Sequence, residues 1–192
     1  MEKLESIITA FDPDSPEFRR EGMIHVYTGD GKGKTTAAIG LCVRASGAEK
    51  KVLFSQFLKG RKTAELEPLE RLGVEISRTW GVTRFAAEMN EDEREHCRRV
   101  VERCFASAYS AICSGKYDLV VLDEIFWAIE TGMLKKKILT DLLTQYSFPT
   151  ELVLTGRGAP QDICQMADYV SEIKSVKHPY ERGIPARYGI EF

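Results

Sequence analysis

The sequence lacks features that define several large classes of protein. Its longest apolar runs, at 119–122 and 125–129, are separated by Asp123 and Glu124, and both are far shorter than the roughly 20 residues of a membrane-spanning helix. It also lacks an excess of positive charge, because 27 Lys and Arg face 29 Asp and Glu, for a net charge of −2. A protein that holds nucleic acid by charge alone would be basic. We therefore expect neither a membrane nor a nucleic acid among the partners.

The sequence is equally poor in signals for oxidised or exported proteins. The cysteines number five, an odd count, and no Cys-x-x-Cys pair occurs among them, so neither a disulfide framework nor a zinc site is indicated. The first residues do not combine a basic start with an apolar block, as a secretory signal would. We expect a cytoplasmic protein whose cysteines are buried as small apolar side chains.

What the sequence does contain is enough for one folded domain. Its 192 residues are 43% hydrophobic and 29% charged, which is typical of a globular chain that needs no disulfide to bury a core. Residues 1–22 differ from the rest because acids and prolines are frequent there. This segment is either a solvated tail or an arm that packs on the body or on a second subunit. We therefore divide the chain into an N-terminal arm, 1–22, and a body, 23–192.

The body alternates predicted strands with predicted helices. Strands are predicted at 23–27, 52–57, 74–79, 119–123, 151–155 and 170–176, and helices at 34–46, 63–72, 91–114, 134–146 and 160–167. Central strands that are apolar throughout are typical of a parallel sheet covered on both faces. The fold class is therefore α/β, a mostly parallel sheet flanked by helices, and ligands are expected beyond the carboxyl ends of the strands.

Local signals set several helix boundaries. Asn90 and Glu93 have the spacing of a capping box, Gly47 is placed to end the first helix, and Pro68 is expected to interrupt the second. The helix at 134–146 is predicted from an apolar stripe with a spacing of four residues: Leu134, Ile138, Leu142 and Tyr146.

The loop after the first strand carries the strongest motif. It contains Thr28, Gly29, Asp30, Gly31, Lys32, Gly33, Lys34, Thr35 and Thr36. Glycines between a strand and a helix let backbone N–H groups wrap a phosphate, and the helix N-terminus adds partial positive charge. Lys34 supplies a point charge and the Thr35 hydroxyl a ligand for Mg²⁺. The usual pattern has glycine where this chain has Thr28, so Gly29 and Gly31 must make the turn.

A buried strand supplies the acidic partner of this loop. Residues 119–122 are apolar and are followed by Asp123 and Glu124, which places carboxylates at the end of the strand, where they can hold Mg²⁺ directly or through water. The residues alone thus predict an Mg-nucleotide site but not a reaction.

Taken in order, the motifs resemble the ATP:corrinoid adenosyltransferases of the cobalamin pathway, over 23–192. The resemblance rests on the phosphate loop, including Thr28, and on six later segments: 56–60 (QFLKG), 120–124 (VVLDE), 155–158 (TGRG), 170–173 (VSEI), 176–178 (VKH) and 189–192 (GIEF). It implies a RecA-like P-loop nucleotide hydrolase fold, commonly a homodimer. It also implies transfer of the 5′-deoxyadenosyl group of ATP to Co(I) of a reduced corrinoid, with release of triphosphate and with ATP held in the reverse of the usual sense. A reductase or flavin is a candidate electron donor.

The resemblance assigns roles to particular residues. Lys32, Lys34 and Thr35 are expected to hold the triphosphate, with Mg²⁺ at Thr35, Asp123 and Glu124. Phe85, preferred over Trp80, is expected to cover the cobalt face, whereas Trp80 can equally pack on the core.

Two arginines are weighed as nucleotide ligands. Arg44 in the first helix either reaches the nucleotide or a triphosphate oxygen, or is an arginine that extends to solvent or forms an ion pair. Arg157, between two glycines at the ligand edge, is expected to contact ATP or corrinoid carboxamides.

Two other functions compete with this one. A small-molecule phosphotransferase or ATPase would use the same loop, and a nucleic-acid-stimulated RecA-like module would share the fold. The modified loop and the C-terminal motifs argue against the first, and the charge balance argues against the second. The preferred corrinoid, complete or incomplete, is left open, as are the electron donor and the role of the arm.

Overall fold

A computed structural model describes residues 22–60, 63–79 and 89–192. Its centre is a six-stranded sheet in the order β3-β2-β4-β5-β1-β6, with every neighbouring pair parallel. The strands are β1 (Ile24–Thr28), β2 (Val52–Gln56), β3 (Glu75–Arg78), β4 (Leu119–Asp123), β5 (Glu151–Thr155) and β6 (Tyr169–Glu172). The α/β prediction is confirmed, and the strand order is that of a RecA-like P-loop fold, with β5 between the phosphate-loop strand β1 and the acidic strand β4.

Helices cover both faces of the sheet. They are α1 (Lys34–Gly47), α2 (Leu66–Arg71), α3 (Glu91–Cys113), α4 (Ile125–Glu130), α5 (Lys136–Thr144), α6 (Gln161–Met166) and a 3-10 helix (Pro179–Arg182). Alternate residues of β4 enter different cores: Leu119 and Val121 pack on the α1 side, and Val120 and Leu122 on the α3 side. Burial on both faces explains why β4 is apolar throughout. None of the described helices combines the length and apolar character needed to cross a bilayer.

Several boundaries follow their local signals. Asn90 caps α3 in a capping box, in which Glu93 N donates to Asn90 Oδ1 at 2.9 Å and Asn90 N to Glu93 Oε2 at 2.9 Å. Gly47 is the last residue of α1, but the left-handed residue in the turn beyond it is Glu49, at φ 58°. Pro68 does not interrupt α2. It is the third residue of that helix, where its missing N–H has no partner within the helix to lose.

The apolar stripe of α5 was predicted correctly at Leu142 only. Leu134 and Tyr146 lie outside the helix, and Ile138 is 37% exposed. The buried set is Leu139, Leu142 and Leu143. A spacing of four drifts around a helix of 3.6 residues per turn, whereas the i, i+3, i+4 spacing stays on one face.

Two other elements differ from the sequence prediction. β6 ends at Glu172 rather than at residue 176, because the chain then turns to bond the phosphate loop. The apolar run after Glu124 forms the short helix α4, which the sequence analysis did not assign. A run of that length does not distinguish strand from helix by periodicity.

All five cysteines are free. Cys42, Cys97 and Cys104 are buried, as predicted, but Cys113 is exposed and Cys164 is half-buried. Burial raises the pKa of Cys42 to about 12, which keeps this thiol protonated and inert.

Candidate active site

The phosphate loop lies at the carboxyl end of β1, as predicted. Gly29 has φ 99° and Gly33, the N-cap of α1, has φ 129°. Both angles fall where a side chain would strain the backbone. Ile173 N donates to Thr28 O at 2.8 Å, and Gly31 N donates to Ile173 O at 2.8 Å. The loop is therefore held by the segment that follows β6.

Close packing leaves no room for a side chain at Gly31. A Cβ on Gly31 would lie 2.7 Å from Lys174 O and 2.8 Å from Ile173 O. We expect Gly31→Ala to lower the free energy of unfolding by about 1–3 kcal/mol through overpacking, and to weaken ATP binding by moving the loop. Urea unfolding and ATP titration measure the two effects.

Gly40→Ala is the matched control for this substitution. Gly40 is exposed within α1, and a Cβ there would meet nothing within 4 Å. Alanine should raise stability by roughly 0.5–1 kcal/mol, because it is a better helix former. Equal stability of the two variants would contradict the packing argument.

Thr28 has a structural role that explains its departure from glycine. Its Oγ1 accepts a hydrogen bond from Ala159 N at 3.1 Å. The hydroxyl thereby ties the phosphate loop to the loop after β5, which carries Arg157. A glycine at this position could not make that bond.

Lys34 folds back over the loop. Its Nζ donates to Gly29 O at 2.7 Å and to Gly31 O at 2.8 Å, and the residue is 7% exposed. Burial lowers the pKa of Lys34, and the Glu124 carboxylate opposes that effect. The loop carbonyls thus hold the ammonium within the loop, where its charge can stabilise a bound phosphate.

The Asp123 carboxylate is the hub of the site. Oδ1 accepts from Thr35 Oγ1 at 2.9 Å and from Thr155 Oγ1 at 2.7 Å. Oδ2 accepts from Lys59 Nζ at 2.9 Å and from Gln56 Nε2 at 3.3 Å. Asp123 is 0% exposed, and a buried carboxylate needs such partners. The structure therefore brings together the predicted pair, Thr35 and Asp123.

Lys59, Thr155 and Gln56 were not predicted as site residues. Gln56 and Lys59 belong to the 56–60 segment that was noted only as a family motif, and Thr155 ends a predicted strand. Two signals were available: these residues lie at or just after the carboxyl ends of β2 and β5, and they belong to the family motifs 56–60 and 155–158. Burial would lower the pKa of Lys59, but attraction by Asp123 and Glu124 outweighs burial and raises it, so Lys59 is an ammonium.

Glu124 occupies a special backbone position. Its φ is 62°, in the left-handed region, and its N–H donates to Thr155 Oγ1 at 3.0 Å. Burial, and then repulsion by Asp123, raise the pKa of Glu124. The strained turn sets this second carboxylate beside the first.

The residues of this edge fit Mg²⁺ by chemistry. Thr35, Asp123 and Glu124 offer only hard oxygen donors, which Mg²⁺ prefers. Gln56 Oε1, buried beside Asp123, has no hydrogen-bond partner among the described residues. Within the described ranges no group of three or more His, Cys, Asp or Glu is arranged to hold a metal. The few oxygen ligands at Thr35, Asp123 and Glu124 suit an ion that takes its remaining ligands from water and phosphate, as Mg²⁺ does.

The remaining predicted residues lie around this centre. Asp30, Lys32 and Thr36 are exposed, and Lys32 Nζ lies 3.5 Å from Glu191 Oε1 near the C-terminus. Arg157 is exposed at the ligand edge and acts electrostatically on Lys34 and Glu124. These positions are compatible with ligand contacts, which stay predictions.

The structure places one predicted residue away from this centre and does not describe two others. Arg44 is exposed in the last turn of α1, ten residues after Lys34, which is about 15 Å along a helix axis. Its role in nucleotide binding stays a prediction. Phe85 and Trp80 lie outside the described residues.

Comparison with known proteins identifies the family. A family model described as ATP:corrinoid adenosyltransferase BtuR/CobO/CobP matches residues 20–192. The corrinoid adenosyltransferase of Escherichia coli (strain K12) is 35% identical over 172 residues, which are 89% of this chain and 86% of that protein. The protein of the same name from Pseudomonas aeruginosa is 32% identical over 194 residues, covering 100% of this chain and 94% of the relative. With the phosphate loop and its acidic partner in place, this chain belongs to the ATP:corrinoid adenosyltransferase family.

Proposed function

We propose that this protein is a transferase that moves the 5′-deoxyadenosyl group of ATP to Co(I) of a reduced corrinoid, in cobalamin biosynthesis or salvage. The observation that carries the proposal is the phosphate loop in a chain of this family. In that loop Lys34 donates hydrogen bonds to two backbone carbonyls, and Thr35 donates a hydrogen bond to Asp123. In the reaction the cobalt–carbon bond forms as the bond from C5′ to the triphosphate oxygen breaks. The triphosphate leaves with the electron pair.

The demands of this reaction match the charges at the site. Attack at a saturated carbon needs in-line geometry and a stabilised leaving group. The loop N–H groups, Lys34 and Lys32 supply positive charge where the triphosphate would lie. A general base is unnecessary, because the nucleophile is the metal of the substrate. We propose that ATP lies in the reverse of the usual sense, so that C5′ faces the corrinoid.

We propose that Thr35 and Asp123 hold Mg²⁺, with Glu124 beside them. Bound there, the ion would help neutralise the triphosphate charge. Thr35 is the second residue of α1, in the first turn, where the helix dipole also favours negative charge. Asp123 is fixed in orientation by Thr155, whose hydroxyl donates to it at 2.7 Å.

Phe85 is proposed to exclude water from the cobalt face. Co(I) is a strong reductant, and an apolar wall disfavours an axial water ligand. We expect Phe85→Ala to lower the rate of reaction that starts from Co(II) more than the rate with preformed Co(I). Parallel assays with each oxidation state, with Trp80→Ala as the comparison, measure the difference. Equal losses in the two assays would remove Phe85 from this role.

Four further properties are proposed for this protein. They comprise a homodimer, a reductase or flavin as electron donor, a cytoplasmic location, and an arm at 1–22 next to a catalytic body at 23–192. Light scattering on the purified protein measures its molar mass and so tests whether it is a homodimer. Activity of a chain that begins at residue 23 tests whether the arm contributes to the reaction.

The phosphate product tests the reaction class. Mg-ATP is supplied with and without chemically reduced cobalamin, and the products are identified by phosphorus NMR. Triphosphate that forms only with the Co(I) corrinoid supports adenosyl transfer. ADP and phosphate, without alkyl-cobalt absorbance, would instead indicate a phosphotransferase or ATPase that uses the same loop.

A further inference from the structure

Lys59 lies between the two side chains proposed to hold the metal. Its Nζ is 2.9 Å from Asp123 Oδ2 and 3.1 Å from Thr35 Oγ1. One ammonium therefore contacts both side chains that would bind Mg²⁺ in the loaded enzyme. Its charge satisfies a carboxylate that is 0% exposed and that would be costly to bury alone.

The backbone is built to hold Lys59 at this position. Phe57 N donates to Asp123 O at 2.9 Å, which anchors the chain as it leaves β2. Leu58 then takes φ 54°, a left-handed conformation that costs about 1–2 kcal/mol for a residue with a side chain. Arg78 Nε donates to Lys59 O at 2.7 Å, and Arg78 is itself buried. This lysine is thus positioned by strain and a buried guanidinium, unlike a mobile surface lysine.

Without this ammonium, the two carboxylates could bind a divalent cation even when no nucleotide is bound. Asp123 is buried and Glu124, the next residue, is half-buried, and low-dielectric surroundings strengthen the attraction of such carboxylates for a cation. A single positive charge already in place lowers that attraction. A divalent ion that arrives with a nucleotide also brings phosphate oxygens as ligands and can replace the ammonium.

We propose that Lys59 is an internal counter-ion that occupies the metal position of the nucleotide-free protein, so that a divalent cation binds only together with the nucleotide. The inference rests on the proposed function, because that proposal places Mg²⁺ at Thr35 and Asp123. The proposal gives a role to Lys59, whose ammonium contacts the two side chains proposed as metal ligands. It also makes metal binding conditional on ATP.

Mn²⁺ binding to the nucleotide-free protein tests this role. Electron paramagnetic resonance of free Mn²⁺ gives the affinity without nucleotide or corrinoid. The wild-type protein should bind Mn²⁺ only in the millimolar range, as weak oxygen sites do. Lys59→Met should bind it at least about tenfold more tightly. Micromolar binding by the wild type would overturn the proposal without any variant.

Two further variants locate the effect. Lys50→Met also removes a lysine paired with a carboxylate, since Lys50 Nζ lies 3.4 Å from Asp118 Oδ1, and it should leave the Mn²⁺ affinity unchanged. Lys59→Met combined with Asp123→Asn should lose the gain. If Lys59→Met binds Mn²⁺ no better than Lys50→Met does, the counter-ion role is wrong.

Folding and the reaction are checked separately. Circular dichroism tests whether each variant is folded. Lys59→Gln repeats the test with a neutral polar side chain one atom shorter, and it should also bind Mn²⁺ more tightly than the wild type. Because the binding assay contains no corrinoid, failure of adenosyl transfer and failure of the Lys59 effect are distinct results.

Discussion

Replacing Lys34 with alanine is expected to lower the rate of adenosyl transfer by roughly 100- to 1000-fold. Lys34 is 7% exposed and its ammonium is held by two loop carbonyls, so no solvent cation can take its place at equal proximity. Its contribution grows as charge develops on the leaving triphosphate. The substitution should therefore reduce kcat more than it raises KM for ATP. Initial rates of alkyl-cobalt formation at saturating ATP measure this.

Lys32→Ala is the internal control for that experiment. Lys32 belongs to the same loop but is exposed and lies 3.5 Å from Glu191, so its charge is screened by water and by a carboxylate. We expect a loss of less than about tenfold. If Lys34→Ala keeps more than a tenth of the activity, or if the two variants lose equally, Lys34 does not have the proposed role.

Asp123→Asn is expected to have the second-largest effect. Asparagine keeps the shape, but its amide cannot neutralise Lys59 or bind a cation as strongly as a carboxylate does. Breaking a buried ion pair costs about 3–5 kcal/mol. The Lys59 side chain is 28% exposed, so we expect a loss of stability of roughly 2–4 kcal/mol after allowing for solvent. Urea unfolding measures the loss, and the Mg²⁺ concentration needed for half-maximal rate should rise.

A carboxylate on α5 provides the comparison. Asp141 Oδ1 lies 2.7 Å from Lys137 Nζ, and both side chains are mostly exposed. Asp141→Asn should change stability by less than about 1 kcal/mol, as surface ion pairs do, and should leave the Mg²⁺ requirement unchanged. An Asp123→Asn protein with wild-type stability and Mg²⁺ dependence would show that Asp123 is not the hub of the site.

The phosphate loop was predictable because its signal is local. Its glycines, Lys34 and Thr35 lie within one short segment, and the same segment makes the turn and begins α1. The carboxylates were predictable for a related reason. A buried apolar strand that ends in an acid places that acid at the sheet edge, whatever the neighbouring strands are.

Lys59 and Thr155 could not be assigned because their roles depend on strand order and register. Gln56 is paired with Asp123 across β2 and β4, which carries the chain at Lys59 over the carboxylate. Leu122 pairs with Leu154 across β4 and β5, which brings Thr155 beside Asp123. Neither register is visible in the spacing of one strand.

The errors in the fold prediction also have physical causes. Apart from Leu142, the stripe predicted for α5 was wrong, because a four-residue spacing matched apolar residues beyond the helix. The short helix α4 was left unassigned because its run, Ile125–Ile129, fits a strand or a helix equally well. By contrast, the central strands were predicted closely, since burial on both faces leaves little choice of residue.

The fate of the ATP C5′ carbon tests the central claim most directly. ATP labelled with ¹³C at C5′ is incubated with the protein, Mg²⁺ and chemically reduced cobalamin, and the corrinoid is isolated. We expect the label in the cobalt-bound carbon of an adenosylated corrinoid, in an amount equal to the triphosphate released. Label that remains in ADP or AMP, with an unalkylated corrinoid, would contradict the account.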